Sequence, residues 1–333
     1  MRTPYGALLG EKCLYAPNAA GALLRPGSKE VPFARHAGRR CLPGGRLLPM
    51  RRRWEPARLG EGIPTSTYVF SDVHGHRATL ERVLERVCPS AEDRFFCLGD
   101  MIDRGPDPLG VIAVTRALPN VCVLKGNHED LMLHALRGKD EVEMSMCAMD
   151  WAMNGGSTTS DALEALDDED AAMIVDWAER LACWAQARVG GRDYILTHAG
   201  IDPWRVEVPA SWEDGAIERL MAGQRPDDLL WIRDDFWTSP TGLVNEQGEG
   251  PIVIAGHTPT PYLAAMLGES CGPTRNADGL AQMVKVGACE ATGGVADRWD
   301  IDAGAAGGAG FGQVLVLRLD DGACFYESVL PGE

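Results

Sequence analysis

Five short stretches gather residue types that bind cations and move protons. They are Ser71-Asp72-Val73-His74-Gly75, Gly99-Asp100-Met101-Ile102-Asp103-Arg104-Gly105, Gly126-Asn127-His128-Glu129, Thr197-His198-Ala199-Gly200 and Gly256-His257-Thr258-Pro259. Four of the seven histidines lie in them. Carboxylate and amide oxygens mixed with imidazole suit Mn²⁺, Fe or Zn²⁺, and no clustered Cys points to a structural zinc centre. Two cations about 4 Å apart need a bridging carboxylate, and Asp100 is the candidate; such a pair holds phosphoryl oxygens and acidifies a water between them. Glycines beside the donors let backbone and substrate approach closely.

Each stretch follows a short apolar, β-prone run. Strands are predicted at 67–70, 94–98, 121–124, 193–196 and 252–255, with helices at 77–87, 108–118 and from about 129. Leu80, Val83, Leu84 and Val87 share one face of the first helix. The alternation is that of βαβ units and predicts a largely parallel sheet whose carboxyl strand ends carry the site. Asp72 and Asp100 are 28 residues apart, and Asp100 and Asn127 are 27 apart, near the roughly 30 residues of a βαβ step. Residues 140–182 are predicted to form a helical insert, and within 161–179 eight acidic and no basic residues suggest a solvated face. Residues 314–319 and 323–326 read as a hairpin around Asp321-Gly322. The small-residue run 303–312 lacks the Gly-Lys-Ser/Thr ending that a phosphate loop needs.

Charge divides the chain. Residues 1–60 hold 12 Lys+Arg against 3 Glu, while the remainder holds 20 basic and 45 acidic side chains, for a net −16. A basic, flexible N-terminal extension (1–65) is expected ahead of an acidic catalytic domain (66–333). The extension is open to three readings: a flexible tail, an Arg-rich targeting peptide, or translation from Met50. Net negative charge argues against non-specific nucleic-acid binding. No run of 18 apolar residues predicts a membrane span, and a secretory signal pattern is missing from the N-terminus. The ten cysteines include Cys97, Cys122 and Cys183 inside apolar runs. Buried free thiols in a reducing, cytoplasmic compartment are therefore expected.

The ordered motifs resemble those of the calcineurin-like metallophosphoesterases. Within them, they look most like the PPP-type serine/threonine phosphatases of the bacterial and phage branch. That branch's Trp-x-x-Asn-Gly-Gly is matched by Trp151-Ala152-Met153-Asn154-Gly155-Gly156, and its Trp-x-Arg by Trp231-Ile232-Arg233. The resemblance implies an α/β fold, a β-sandwich flanked by helices in four α/β/β/α layers. It also implies two divalent metal ions, Mn²⁺ for preference. Asp72 and His74 would bind the first metal, Asp100 would bridge, and Asn127, His198 and His257 would complete the second. Arg104 and Arg233 would grip phosphate oxygens. His128 would be the general acid, oriented by Asp103. The family usually has Gly where this chain has Ser71, a departure expected to leave the site intact. His76 is read as a surface residue at a helix start.

These expectations converge on a phosphoric ester hydrolase acting by direct attack of metal-activated water. Its substrate would be a phosphorylated protein or a small phosphate ester. No cysteine sits where a covalent thiol mechanism would need it. The preferred reading is a serine/threonine protein phosphatase. The rival on the same scaffold is a symmetrical dinucleoside tetraphosphatase, a group that typically departs from Asp-Arg-Gly and Gly-Asn-His-Glu at the positions of Asp103 and Glu129. A non-catalytic phosphoprotein-binding module is the alternative from another class.

Overall fold

Residues 66–333 are described in the computed structural model, and the readings made for the N-terminal stretch lie outside them. Ten strands follow in chain order. They are β1 (Thr67–Phe70), β2 (Arg94–Cys97), β3 (Val121–Val123), β4 (Trp184–Val189), β5 (Arg192–Thr197), β6 (Ile252–Ala255), β7 (Val284–Val286), β8 (Arg298–Asp300), β9 (Gln313–Arg318) and β10 (Cys324–Ser328). They build two five-stranded sheets, ordered β10-β9-β1-β2-β3 and β4-β5-β6-β8-β7. β1, β2 and β3 run parallel, as do β5, β6 and β8, while β9, β10, β4 and β7 are antiparallel to their neighbours. The expectation of a largely parallel sheet thus holds only for the strands that carry the site. Both sheets are mixed.

Period-two alternation explains the layering. Along β1 and β2, Tyr68, Phe70, Phe95 and Cys97 face one core while Val69 and Phe96 face another. Val69, Phe96, Leu98 and Leu124 meet Leu196, Ile254, Leu315 and Leu317 between the two sheets. Burying each such side chain contributes about 1.5–3 kcal/mol. The outer face of the first sheet is covered by α1 (Arg77–Val87), α2 (Pro108–Ala117) and α3 (Asn127–Arg137), backed by α4 (Glu141–Met153), α5 (Ser157–Glu164) and α6 (Asp168–Glu179). Ile195 and Val253 turn the other way, into a third core under α7 (Ala216–Ala222), α8 (Pro226–Trp231), α9 (Asp234–Thr238) and α10 (Thr260–Leu267). The result is the four-layer α/β/β/α sandwich.

Two local differences have clear causes. β4 was not foreseen: its period-two pattern is weak, and it pairs with β5 through a two-residue turn at Gly190 and Gly191, both at positive φ. The third helix begins at Asn127, two residues early. Its head is set by Gly126 in extended backbone and by the Glu129 carboxylate accepting the Gly126 N–H at 2.8 Å, features that apolar periodicity cannot show.

Candidate metal centre

The five stretches meet where the parallel strands end, at β1, β2 and β3 of one sheet and β5 and β6 of the other. Their backbone is unusual. Of eight non-glycine residues at positive φ among those described, six are Asp72, His74, Asp100, Asp103, Arg104 and His257. Such conformations cost about 1–3 kcal/mol each and persist only when neighbours enforce them. Here the β1 turn leans on the β2 turn, with Asp72 N–H donating to the Gly99 carbonyl at 3.1 Å and His74 N–H to the Asp100 carbonyl at 3.0 Å. A Cβ on Gly256 would lie 2.0 Å from Asp72 Oδ2, so only glycine lets β6 approach the first motif this closely.

Donor atoms converge in two groups that share Asp100. Asn127 Oδ1 lies 2.8 Å from both His198 Nε2 and His257 Nδ1, which are themselves 3.2 Å apart, and Asp100 Oδ1 is 3.5 Å from His198 Nε2. Donors held about 2.0–2.2 Å from one Zn²⁺-like ion would be separated by about 3 Å. On the other side, His74 Nε2 lies 3.4 Å and His128 Nε2 3.9 Å from Asp100 Oδ2. The far nitrogens fix the tautomers: His198 Nδ1 donates to the Leu98 carbonyl and His74 Nδ1 to the Ile102 carbonyl, both at 3.0 Å. Each Nε2 therefore offers a lone pair to the centre, the arrangement of metal-ligating histidine. The guanidinium of Arg104 lies 3.1 Å from His74 Nε2 and 2.9 Å from His128 Nε2. The residues fit divalent cations.

Burial dominates the electrostatics. It pushes Asp100 up to about 8, with the Asp72 and Glu129 charges adding to the rise and His128 opposing it. It holds His74 and His257 well below the usual imidazole range, helped by Arg104 for the first and Arg233 for the second, and it lowers His198. An anionic carboxylate bridge beside neutral imidazoles is the state that a cation favours.

The remaining site residues divide into those gathered at the donors and those farther out. Asp103 is fully buried and accepts from His128 Nδ1 at 2.6 Å. Asp72 is buried at the same edge, but its carboxylate accepts the His257 N–H at 3.1 and 3.2 Å and is not in either converging group. Arg233 stands exposed at the head of α9, close enough for its charge to lower His257. Ser71 is buried beside Gly256. His76 does precede α1, but it is buried rather than on the surface, with Nδ1 bonded to the Val73 carbonyl at 2.9 Å.

Several residues beyond the expected set belong to the site. Glu129, in the first turn of α3, accepts three backbone N–H groups: Asp100 and Met101 at 2.9 Å and Gly126 at 2.8 Å. Trp151 and Thr159 donate to Asp103. Asp300 and Asp302 are buried close enough to Asp72 to feel its charge, their carboxyls raised well above the usual range by burial first and neighbouring carboxylates second. Of these, Trp151 had a sequence signal in the Trp-x-x-Asn-Gly-Gly pattern. The Asp-x-Asp of 300–302, at a strand end like the others, carried one too.

The chain is 31% identical over 170 residues to a symmetrical bis(5'-nucleosyl)-tetraphosphatase of Chromohalobacter salexigens, covering 50% of this chain and 56% of that protein. It is 33% identical over 141 residues to the enzyme of the same name from Pseudomonas fluorescens, covering 41% and 44%. The chain spans about half the length of the curated relatives it matches. Among solved structures, a metallophosphoesterase from Sphaerobacter thermophilus aligns over 80% of this chain and 88% of its own, at 16% identity and TM-score 0.41. A protein serine/threonine phosphatase from Saccharomyces cerevisiae aligns over 81% of both, at 15% identity and TM-score 0.41. The calcineurin-like phosphoesterase family model matches residues 65–291, and the chain belongs to that family.

Proposed function

We propose that this chain hydrolyses dinucleoside polyphosphates symmetrically, at a centre of two divalent cations, with Mn²⁺ the preferred metal. The convergence of Asn127, His198, His257 and Asp100 on one point, with Asp100 shared toward His74, supports the chemistry. The substrate class is supported by similarity to the bacterial tetraphosphatases. Trp231, 40% exposed with its ring 6.0 Å from His257, offers an aromatic face beside the centre for a nucleobase.

Asp72, His74 and Asp100 would hold one cation, and Asp100, Asn127, His198 and His257 the other. When bound, the cations neutralise phosphoryl charge and lower the pKa of water. The chain's own groups do the rest. Arg104 reaches the space above His74 and His128 and would grip phosphoryl oxygens there, with Arg233 approaching from the other side. His128, held at Nδ1 by Asp103, presents Nε2 to the departing oxygen and donates a proton from it.

The Asp103–His128 pair also favours a second reading, a serine/threonine protein phosphatase. A serine alkoxide is a poor leaving group that needs a proton, whereas a nucleoside diphosphate leaves more readily without one. Assays of diadenosine tetraphosphate and a phosphoserine peptide under one Mn²⁺ condition separate the readings. The first predicts ADP as sole nucleotide product and the higher kcat/KM on the dinucleotide. Turnover of the peptide with an inert dinucleotide would establish the second, and no turnover of either with any divalent metal would favour a binding module.

A further inference from the structure

Asp103 and Arg104 are consecutive left-handed non-glycine residues, φ 69° and 68°. A pair like this holds its shape only when neighbours enforce it. The enforcing contacts come from the helical insert. Asp103 N–H donates to Thr159 Oγ1 at 2.9 Å, and Arg104 N–H donates to the Gly155 carbonyl at 3.0 Å. The Asp103 carboxylate is tied from the same side: Thr159 Oγ1 donates to Oδ1 at 2.6 Å, and Trp151 Nε1 donates to Oδ2 at 2.8 Å. That same Oδ2 accepts from His128 Nδ1 at 2.6 Å. An Asp carboxylate turns easily about its last torsion. Donors on both oxygens fix its plane, and with it the ring of His128, since a short charge-assisted bond is directional.

We propose that the insert is a working part of the active centre. Trp151 and Thr159 are positioning residues that lock Asp103, and through it aim His128 Nε2 at the departing oxygen. This rests on the reading of His128 as the proton donor. Both residues are buried and lie 48 and 56 positions beyond Asp103, on α4 and α5, ahead of the acidic 161–179 run that reads as a solvated face. The insert's outer surface is that face. Its inner edge is a clamp.

The test uses Trp151→Phe, which keeps the ring and removes Nε1–H, and Thr159→Val, which keeps the shape and removes the hydroxyl. Thr159→Ser is the rescue. Two phosphate monoesters are compared with Mn²⁺: p-nitrophenyl phosphate, whose leaving group needs no proton, and an alkyl phosphate, whose leaving group does. Each variant should lose about tenfold in kcat on the alkyl ester, part of the 10²–10⁴ that general acid catalysis supplies, and less than about twofold on the aryl ester. Thr159→Ser should restore the loss. In metal-free protein, the downfield proton resonance of His128 Nδ1–H, assigned by its disappearance in His128→Asn, should move upfield in both variants. Equal losses on the two esters would overturn the positioning role, as would an unmoved resonance. A fully active His128→Asn on the alkyl ester would instead sink the proton-donor reading, while a resonance that still moves would keep the clamp.

Discussion

His128 shows how one side chain is prepared for proton transfer. Its Nδ1 is held by Asp103, its ring is buried, and its Nε2 faces Arg104 at the mouth of the site. Its Nε2 also falls within 3.9 Å of Asp100 Oδ2. His128→Asn should leave metal binding intact and slow turnover by roughly 10²-fold or more on alkyl phosphates. The loss should shrink as the leaving group becomes more acidic. Metal content measured beside leaving-group dependence checks both halves. The candidate ligands were legible residue by residue because each sits just past an apolar strand with a glycine at hand. Arg104's placement across His74 and His128 was not, because it depends on left-handed backbone at two successive residues.

Among the elements, the tie between β2 and α3 carries most of the geometry. Glu129 sits in the first turn of α3, yet its carboxylate bonds the N–H groups of Asp100 and Met101 beyond β2 as well as its own Gly126. It thereby fixes the candidate bridge on one element against Asn127 and His128 on the next. Glu129→Gln must turn an NH₂ toward one of these donors, leaving a buried N–H unpaired. We expect a loss of about 1–3 kcal/mol in stability, read from urea unfolding. The boundaries of α1 and β6 followed directly from local pattern, at 77–87 and 252–255. β4 and the short strands β7 and β8 did not, because their pairing is decided by partners far along the chain. The inward role of the insert was hidden likewise: it depends on Trp151 and Thr159 finding Asp103 across about fifty residues.

For the whole molecule, an acidic body surrounds a buried cluster that is itself rich in carboxylates. No helix among the described residues is long and apolar enough to cross a membrane, and all eight described cysteines are free. Burial raises Asp100 to about 8 and raises Glu129, Asp300 and Asp302 as well, while it lowers His74, His198 and His257. Above about pH 7 these imidazoles are neutral in folded and unfolded chains, so they add no further pH dependence. A carboxyl whose folded pKa is raised gives stability that is full below its unfolded pKa and lost as pH rises through the folded one. The metal-free protein should therefore melt at progressively lower temperature from about pH 7 to about pH 8, where Asp100 loses its proton in the folded chain, and the net charge of −16 acts in the same direction. Added Mn²⁺, which binds the ionised carboxylates, should raise the melting temperature most at the upper end. A melting temperature that is flat or rises over that range would contradict the assignment of Asp100. Net charge thus describes the body and says little of the substrate, which Arg104, Arg233 and the cations would hold locally.

The central claim is that two cations share Asp100. It is tested most directly by titrating metal-free protein with Mn²⁺ and measuring bound metal per chain, in wild type and in Asp100→Asn. Two ions per wild-type chain, with both weakened by the single substitution, is the expected result. One ion or none in wild type, or two that survive Asp100→Asn unchanged, would contradict it.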